Sequence, residues 1–336
     1  MAREVILTGI KPTGMPHLGN LVGAIQPSVE LSQRPDNQAF YFIADYHALT
    51  GLKDAQEMAQ YSRQIAAAWI ALGLDPERVI LYRQSDIPEV FELNWILACF
   101  APKGLMNRAH AYKAATQKNQ ENGDPDLDAG VNMGLYTYPV LMAADILLMQ
   151  TRWVPVGGDQ VQHIEIARDL AQYFNRQYQR EVFTLPDALI DEAGAVIPGL
   201  DGRKMSKSYG NTIPIFAPAA TLQKLVARIA TDSTRPGEPK DPDKSTVFQL
   251  YRLVATTAET ESFRQAFLAG IAWKDAKDQL YEVLNRKLSG PRERYYALLE
   301  EDNRKTLDQI LAAGVPKARQ VAAATMKKVR KSIGVV

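Results

Sequence analysis

The sequence has little of three features that would define a protein class at once: cysteine, net charge and long apolar runs. Its single cysteine, Cys99, lies in an apolar stretch and is expected to pack as a small hydrophobe, which excludes an internal disulfide or a thiolate metal site. The net charge of +1 gives no overall sign of nucleic-acid binding. No apolar run reaches the ~18 residues of a membrane span and no signal peptide is visible, so we expect a cytoplasmic protein without a membrane partner.

What is present is the composition of an ordinary globular chain, with 46% hydrophobic and 23% charged residues among 336. Buried-strand runs at residues 5–7, 39–44 and 78–82 alternate with helical patterns, of which residues 54–73 form the longest in this part. This βαβ order predicts a parallel, doubly wound α/β sheet. Ligands bind such sheets at the carboxyl ends of the strands.

Residues 8–20 follow the first strand and precede another apolar run, so they predict a glycine-rich turn that leads into a helix. Gly9 and Gly14 allow the backbone to turn sharply and to approach a ligand, and Pro16 suits a first helical turn. The free N–H groups of that helix, with His17 beside them, would form an anion site. An ordinary strand-to-helix turn without a ligand is the alternative.

A second cationic segment lies far along the chain, in the word Lys204-Met205-Ser206-Lys207-Ser208. Two lysines three residues apart, among serines and glycines, predict a mobile loop over residues 201–210 that could close on phosphates. A solvated surface turn is the simpler alternative for the lysine spacing by itself.

Residues 138–149 form the most apolar helical pattern of the chain, and Asp145 is its one charge. A carboxylate so placed is expected to be at least partly buried and to need hydrogen-bond donors. The donor could belong to a neighbouring protein group or to a ligand N–H. A strand at residues 154–156 and a glycine turn follow, which place Asp159 and Gln160 at a helix start facing the cleft.

Strand signals fade after residue 211. Helical patterns follow at residues 222–230, 246–255, 260–268, 274–288, 292–312 and 316–333, with loop chemistry at 231–242. The end of the chain is basic, because residues 291–336 hold ten Lys or Arg against five Asp or Glu. Such an end could touch an RNA backbone, although a solvated helix face is the commoner explanation.

The two cationic segments, read together, resemble the two signature motifs of the class I aminoacyl-tRNA synthetases. Asn20 stands where the class consensus has a second histidine, a departure that the tryptophan and tyrosine branch tolerates. Residues 138–146 and 154–163 are similar to the amino-acid-binding helix and the ribose-binding loop of the bacterial tryptophanyl members. The tyrosyl members share the fold and both motifs and are the nearest alternative. A non-catalytic nucleotide- or RNA-binding paralogue and a nucleotidylyltransferase of the same superfold are the others.

The resemblance implies a Rossmann-like catalytic domain over residues 1–210, with a short connecting insertion at about 103–135, and a helical anticodon-binding domain over 211–336. It implies that tryptophan and ATP form tryptophanyl-adenylate and pyrophosphate, and that the tryptophanyl group then passes to tRNA(Trp). Mg²⁺ is expected on the ATP phosphates without a dedicated protein metal site. A homodimer is a further implication of the family.

The same resemblance assigns the site residues. The carboxylate of tryptophan is already a nucleophile, so the protein need supply only alignment and countercharge. The implied catalytic lysines are Lys113, Lys204 and Lys207. The implied ATP contacts are Lys11, Thr13, His17, Gly19, Asn20, Gly157, Asp159, Lys204, Met205, Ser206 and Lys207, and Lys11 stands where many relatives have glutamine. The implied tryptophan contacts are Leu7, Gly9, His47, Tyr138, Met142, Asp145, Val154, Val156 and Gln160.

Overall fold

A computed structural model describes residues 3–190 and 197–335 of the chain. Within these ranges one five-stranded sheet has the order β3-β2-β1-β4-β5, and every neighbouring pair is parallel. Its strands are β1 (Glu4–Ile10), β2 (Asn37–Ile43), β3 (Val79–Arg83), β4 (Trp153–Val156) and β5 (Asp187–Ile190). The first four confirm the predicted strands. The sequence does not predict β5, because four residues at a sheet edge give too short a pattern.

The α-helices are α1 (Leu18–Asn20), α2 (Gln26–Ser32), α3 (Asp45–Ala48), α4 (Ala55–Ala71), α5 (Glu89–Ala98), α6 (Lys103–Met106), α7 (His110–Glu121), α8 (Met133–Leu148), α9 (Val161–Gln177), α10 (Ala219–Ala227), α11 (Thr246–Arg252), α12 (Thr257–Leu268), α13 (Trp273–Leu299) and α14 (Arg304–Ile333). A π-helical turn over Leu21–Ile25 joins α1 to α2. The polar insertion region at 103–135 therefore holds two helices, α6 and α7. In the described part of the chain, no helix is both long and apolar enough to cross a membrane.

The sheet separates two hydrophobic cores because side chains alternate along each strand. In β2, Tyr41 and Ile43 enter the first core, whereas Phe40 and Phe42 enter the second. The first core is completed by α2, α4 and α10 to α13, and the second by α5, α8, α9 and the later part of α14. The predicted fold class, a doubly wound α/β sheet with a helical C-terminal region, is confirmed.

Helix α14 passes around the edge of the sheet from one core to the other. Leu307 and Leu311 belong to the first core, and Ala318 and later residues of α14 belong to the second. Gly314 lies at the crossing, where a Cβ atom would come within 1.9 Å of the backbone oxygen of Leu81 in β3. The glycine thus lets the helix backbone pack directly on the edge strand.

Two predicted helix ends in this region are wrong. The sequence predicts breaks at residues 289–291 and 313–315, but α13 continues through Pro291 and α14 continues through Gly314 and Pro316. Each proline removes one helical hydrogen bond, and both helices bury apolar faces that outweigh this loss. The chain breaks instead at Glu301–Asn303. Because α10 to α13 share a continuous core with the sheet, the division into domains at residue 210 stays a prediction.

Candidate active site

Most of the predicted site residues line one cavity of about 520 Å³ at the carboxyl ends of β1 and β4. Its walls come from β1 and the turn after it, the helices that follow, α3, α8 and β4. The predicted residues that line it are Leu7, Gly9, Lys11, Thr13, Asn20, His47, Tyr138, Met142, Asp145, Val154, Val156, Gly157 and Gln160. Segments far apart in sequence thus form one candidate active site, although the role of each residue stays a prediction.

The turn after β1 is held by its own polar groups. The backbone N–H of His17 donates to the side-chain oxygen of Asn20 over 3.0 Å. The His17 ring lies against Gly19, where a Cβ atom would come within 3.0 Å of ring atoms Cε1 and Nδ1. Burial, and secondarily the positive charge of Lys207, lower the pKa of His17 to about 4. His17 is therefore a neutral imidazole at neutral pH.

The two glycines of this turn have different reasons to be glycine. Gly14 has φ of +89°, a left-handed conformation that favours glycine, so the predicted sharp turn is present there. Gly9 instead lies within β1, so the expectation that it turns the chain is wrong. A Cβ atom on Gly9 would come within 2.4 Å of the Phe42 ring, and glycine is needed there because that ring crosses the strand.

The lysine loop docks on the same turn. The side-chain amine of Lys207 donates to the backbone oxygen of Thr13 over 2.6 Å. Two backbone hydrogen bonds join the segments beside it, from Leu18 N–H to Ile213 oxygen at 2.9 Å and from Ile215 N–H to Pro16 oxygen at 3.1 Å. The two signature motifs are thus adjacent in the fold, as an anion site built from both would require.

Asn211, whose role the sequence did not predict, holds the lysine loop through its side-chain hydrogen bonds. Its side chain is buried, its Oδ1 accepts from the Ser206 N–H at 2.8 Å, and its Nδ2 donates to Asp201 at 2.7 Å and to the Lys204 oxygen at 3.2 Å. A Cβ atom on Gly199 would lie 2.3 Å from the Asn211 amide carbon. The glycine and the asparagine therefore fit together under the loop.

Asp145 is buried as the sequence predicts, with 3% of its surface exposed. Its donors are protein groups: Gln84 Nε2 lies 2.9 and 2.8 Å from its two oxygens, and His47 Nε2 lies 2.9 Å from Oδ2. The neighbouring-donor alternative is therefore realised, and the idea of a carboxylate satisfied only by a ligand is wrong. Asp145 still lines the cavity, so its selection of an indole stays a prediction.

Lys11 reaches over the mouth of the same cavity. Its Nζ lies 5.1 Å from the centre of the Tyr138 ring, within the range of a cation–π contact. Partial burial lowers the pKa of Lys11 from its usual value of 10.5. The Lys11 side chain is exposed overall, but this contact places its amine at the cavity.

The remaining predicted residues lie outside the cavity lining. Met205 is buried in the first core beside Gly19, and its loop neighbour Ser206 caps the short helical turn that follows it. Lys204 is exposed, and Lys113 is exposed on α7 beside a different surface hollow, so the structure does not bring Lys113 to the other two lysines. The side chain of Asp159 lies outside what the structure describes.

The parallel sheet, with the turn after β1 and the lysine loop adjacent to each other, is the arrangement expected of a class I synthetase, and the comparison with known families agrees. The chain belongs to the family described as tRNA synthetases class I (W and Y), whose model matches residues 2–289. The predicted family and branch are thereby confirmed.

Curated relatives narrow the branch. A protein of Pseudomonas aeruginosa named Tryptophan--tRNA ligase is 54% identical over 331 residues, covering 98% of this chain and 73% of that protein. One of Neisseria meningitidis with the same name is 51% identical over 335 residues, covering 100% of this chain and 99% of that protein. A solved tryptophanyl-tRNA synthetase from Campylobacter jejuni, complexed with ADP and tryptophan, is 42% identical with a TM-score of 0.87, covering 98% of this chain and 99% of that one.

Proposed function

We propose that the chain is a tryptophan–tRNA ligase, which makes tryptophanyl-adenylate from tryptophan and ATP and then charges tRNA(Trp). The observation that carries the proposal is the 520 Å³ cavity, in which a buried carboxylate faces the same space as the phosphate-binding turn. Relatives at more than half identity that carry this activity in their names support it.

In the activation step, a carboxylate oxygen of tryptophan forms a bond to the α-phosphorus of ATP. The bond from that phosphorus to the β-phosphate oxygen breaks, and pyrophosphate leaves. Because the nucleophile needs no deprotonation, the protein accelerates the step by alignment and by countercharge on the departing phosphates. Lys204 and Lys207 would supply that charge from the loop. Lys113 would join them only if α7 approached the cavity.

His17 and Lys11 would contact the nucleotide from the turn. His17 Nδ1 is buried and has no hydrogen-bond partner among the described residues, so it is suited to a phosphate oxygen when it carries the proton. A neutral imidazole can donate this hydrogen bond from its one N–H. Unlike an imidazolium, it does not readily lose that proton during the reaction. Lys11, beside the Tyr138 ring, would add a second positive charge to that of Lys207 on Thr13.

Asp145 would select tryptophan. A carboxylate offers about four acceptor positions, and the protein fills three with the bonds from Gln84 and His47. One position is left for the indole N–H, and the indole has one donor and no acceptor. Met142 of the same helix lines the cavity beside it and would contact the apolar part of the ring.

In the transfer step, a hydroxyl oxygen of the terminal tRNA ribose bonds to the carbonyl carbon of the adenylate. The bond from that carbon to the phosphate oxygen breaks, and AMP leaves with the hydroxyl proton. Helix α14 would contact the tRNA backbone through the exposed lysines of its later part, Lys317, Lys327, Lys328 and Lys331. Arg319 and Arg330 of that helix pair instead with Glu89 and Glu92 of α5.

Magnesium would accompany the nucleotide. Among the side chains that the structure describes, no three His, Cys, Asp or Glu groups are placed to hold a metal ion. Asp145, the one carboxylate among the described residues of the cavity lining, is already paired with Gln84 and His47, which suits an ion held by the ATP phosphates and not by the protein. Bound there, Mg²⁺ would neutralise phosphate charge. A ligase that uses ATP and tRNA would work in the cytoplasm.

A homodimer would cover an apolar surface on α5 and the start of α8. Trp95 and Met133 are 73% and 71% exposed, and Phe91, one helical turn before Trp95, is 40% exposed. Phe91, Leu49 and Gly134 at the start of α8 line one surface hollow of about 360 Å³. A cluster of large exposed apolar side chains is typical of a protein interface. A second copy of the chain is the partner that the family implies.

Charging assays test the proposed function. The purified protein is incubated with ATP and labelled tryptophan or tyrosine, on transcripts of tRNA(Trp) and tRNA(Tyr). We expect label only in the pairing of tryptophan with tRNA(Trp). Charging of tRNA(Tyr) with tyrosine would assign the chain to the tyrosyl alternative. ATP binding without any charging would assign it to the non-catalytic one.

A further inference from the structure

Gln84, the first residue after β3, is a fully buried amide whose partners Asp145 and His47 line the cavity. Its Nε2 lies 2.9 Å from Oδ1 and 2.8 Å from Oδ2 of Asp145, so one amide group donates to both carboxylate oxygens. Its Oε1 accepts from the backbone N–H of His47 over 3.3 Å. Gln84 thus joins the end of β3 to α3 and to the last turn of α8.

We propose that Gln84 is a positioning residue for amino-acid selection, which holds the Asp145 carboxylate so that one acceptor position faces the substrate indole. This inference rests on the proposed function and deepens it. Gln84 itself does not line the cavity, so it would act through Asp145 and not by touching the substrate.

The bonding pattern permits only one orientation of the Gln84 amide. The carboxylate of Asp145 needs donors, and the backbone N–H of His47 needs an acceptor. Turning the amide over would face its oxygen to the carboxylate and its NH₂ group to an N–H, so both contacts would become repulsive. The hydrogen bonds therefore fix the orientation of the Gln84 amide, and the amide in turn fixes the position of the Asp145 carboxylate.

The charge on Asp145 depends on the same network. Burial raises the pKa of Asp145, whereas the bonds from His47 and Gln84 lower it. The Asp45 carboxylate raises it slightly, and Tyr82, whose pKa burial raises well above 10, stays neutral beside it. Without the Gln84 amide, His47 would be the only side-chain donor to Asp145 among the residues that the structure describes. The protonated form of Asp145 would then be more populated.

Two substitutions at Gln84 give opposite pH dependences. Gln84→Leu removes the donor, so the KM for tryptophan should rise about tenfold or more near neutral pH, the loss expected for a hydrogen bond to a charged group. That KM should fall again as pH rises and Asp145 ionises. Gln84→Glu places a second carboxyl beside Asp145. The pair can share one proton at lower pH, but both ionise and repel as pH rises, so the KM should then increase.

The matched control is Asn175→Leu on α9. Asn175 is also an amide with several hydrogen bonds, donating to the Phe183 oxygen and accepting from Val182 and Phe183, and it lies outside the cavity lining. We measure kcat, the KM for tryptophan and the KM for ATP in pyrophosphate exchange, from about pH 6 to about pH 9. The control should lower stability without changing the KM for tryptophan or its pH profile.

Opposite pH profiles of the KM for tryptophan, with the KM for ATP within about twofold of wild type, would support the proposal. If Gln84→Leu does not fold, the Gln84→Glu profile decides. A wild-type KM and profile in the Gln84 variants, or the same response in Asn175→Leu, would overturn the proposal and leave the proposed function standing. Loss of tryptophan-dependent exchange in the wild type would overturn the proposed function itself.

Discussion

The side-chain amine of Lys207 is hydrogen-bonded to the backbone oxygen of Thr13, a residue 194 positions earlier in the chain. The contact places a cation of the lysine loop on the turn where phosphates are expected to bind. Partial burial there lowers the pKa of Lys207 from its usual value of 10.5. On the proposed function, the Lys207 amine would exchange the Thr13 oxygen for a phosphate oxygen when ATP binds.

Lys207→Ala should therefore slow adenylate formation by about 10²–10³-fold, the range found when one group that stabilises transition-state charge is removed. The KM for tryptophan should change little, because the pyrophosphate contact strengthens in the transition state. Single-turnover adenylate formation is the measurement. Lys287→Ala, at an exposed lysine of α13, is the control and should match wild type. An unchanged rate in Lys207→Ala would remove this lysine from the mechanism.

His17 makes the folding stability of the protein depend on pH. Its pKa is about 4 in the fold against its ordinary 6.5, so between these values the unfolded chain binds more protons than the folded one. Stability should therefore fall as pH is lowered through this window. His17→Asn lacks the titrating ring and should lose less stability over the same range. Urea unfolding at about pH 7 and about pH 5 compares the two. Equal losses would show that His17 titrates normally.

The sequence could predict both cationic motifs and the buried Asp145, because each carries a local signal. It could not predict Gln84, since a polar residue after a strand is an ordinary loop pattern. The one signal was its position, because the carboxyl end of β3 meets the same sheet edge as the predicted site. Asn211 gave no signal either, because its partners are the backbone groups of a loop that only the fold arranges.

The helical end shows a second limit of sequence reasoning. Gly314 and Pro316 are ordinary helix-ending residues, yet α14 continues through both because it packs on two cores. The glycine serves the contact with Leu81 and not a turn. Local propensity could not reveal this, since the contact joins residues far apart in the chain.

Gly314→Ala should destabilise the protein by about 1–3 kcal/mol through overpacking against the Leu81 backbone. The control is Gly290→Ala in α13, where a Cβ atom would meet only the Arg294 side chain at 3.7 Å. That change should stabilise by up to about 1 kcal/mol, because alanine is the better helix former. Urea unfolding should thus shift in opposite directions, and a stabilised Gly314→Ala variant would contradict the described crossing of α14.

Whether the exposed lysines of α14 contact tRNA is best tested by reversing their charge and not by truncating the helix. Removing the chain after residue 313 would also remove Ala318, Ala322 and Met326 from the second core. Reversing the exposed Lys327 and Lys328 to glutamate leaves that core intact. If these lysines contact phosphates, tRNA binding should weaken and the slope of log affinity against log salt should become shallower by about one to two. An unchanged slope would make them a solvated face.

The central claim is that this cavity activates tryptophan, and amino-acid-dependent exchange of labelled pyrophosphate into ATP tests it most directly. Exchange should require tryptophan and should discriminate against phenylalanine by about 10- to 10²-fold, because one hydrogen bond to a charged acceptor is lost while Gln84 and His47 still pair with Asp145. Asp145→Ala should weaken exchange with tryptophan and narrow that gap. Exchange driven equally well by tyrosine, or an Asp145→Ala variant with wild-type discrimination, would contradict the account.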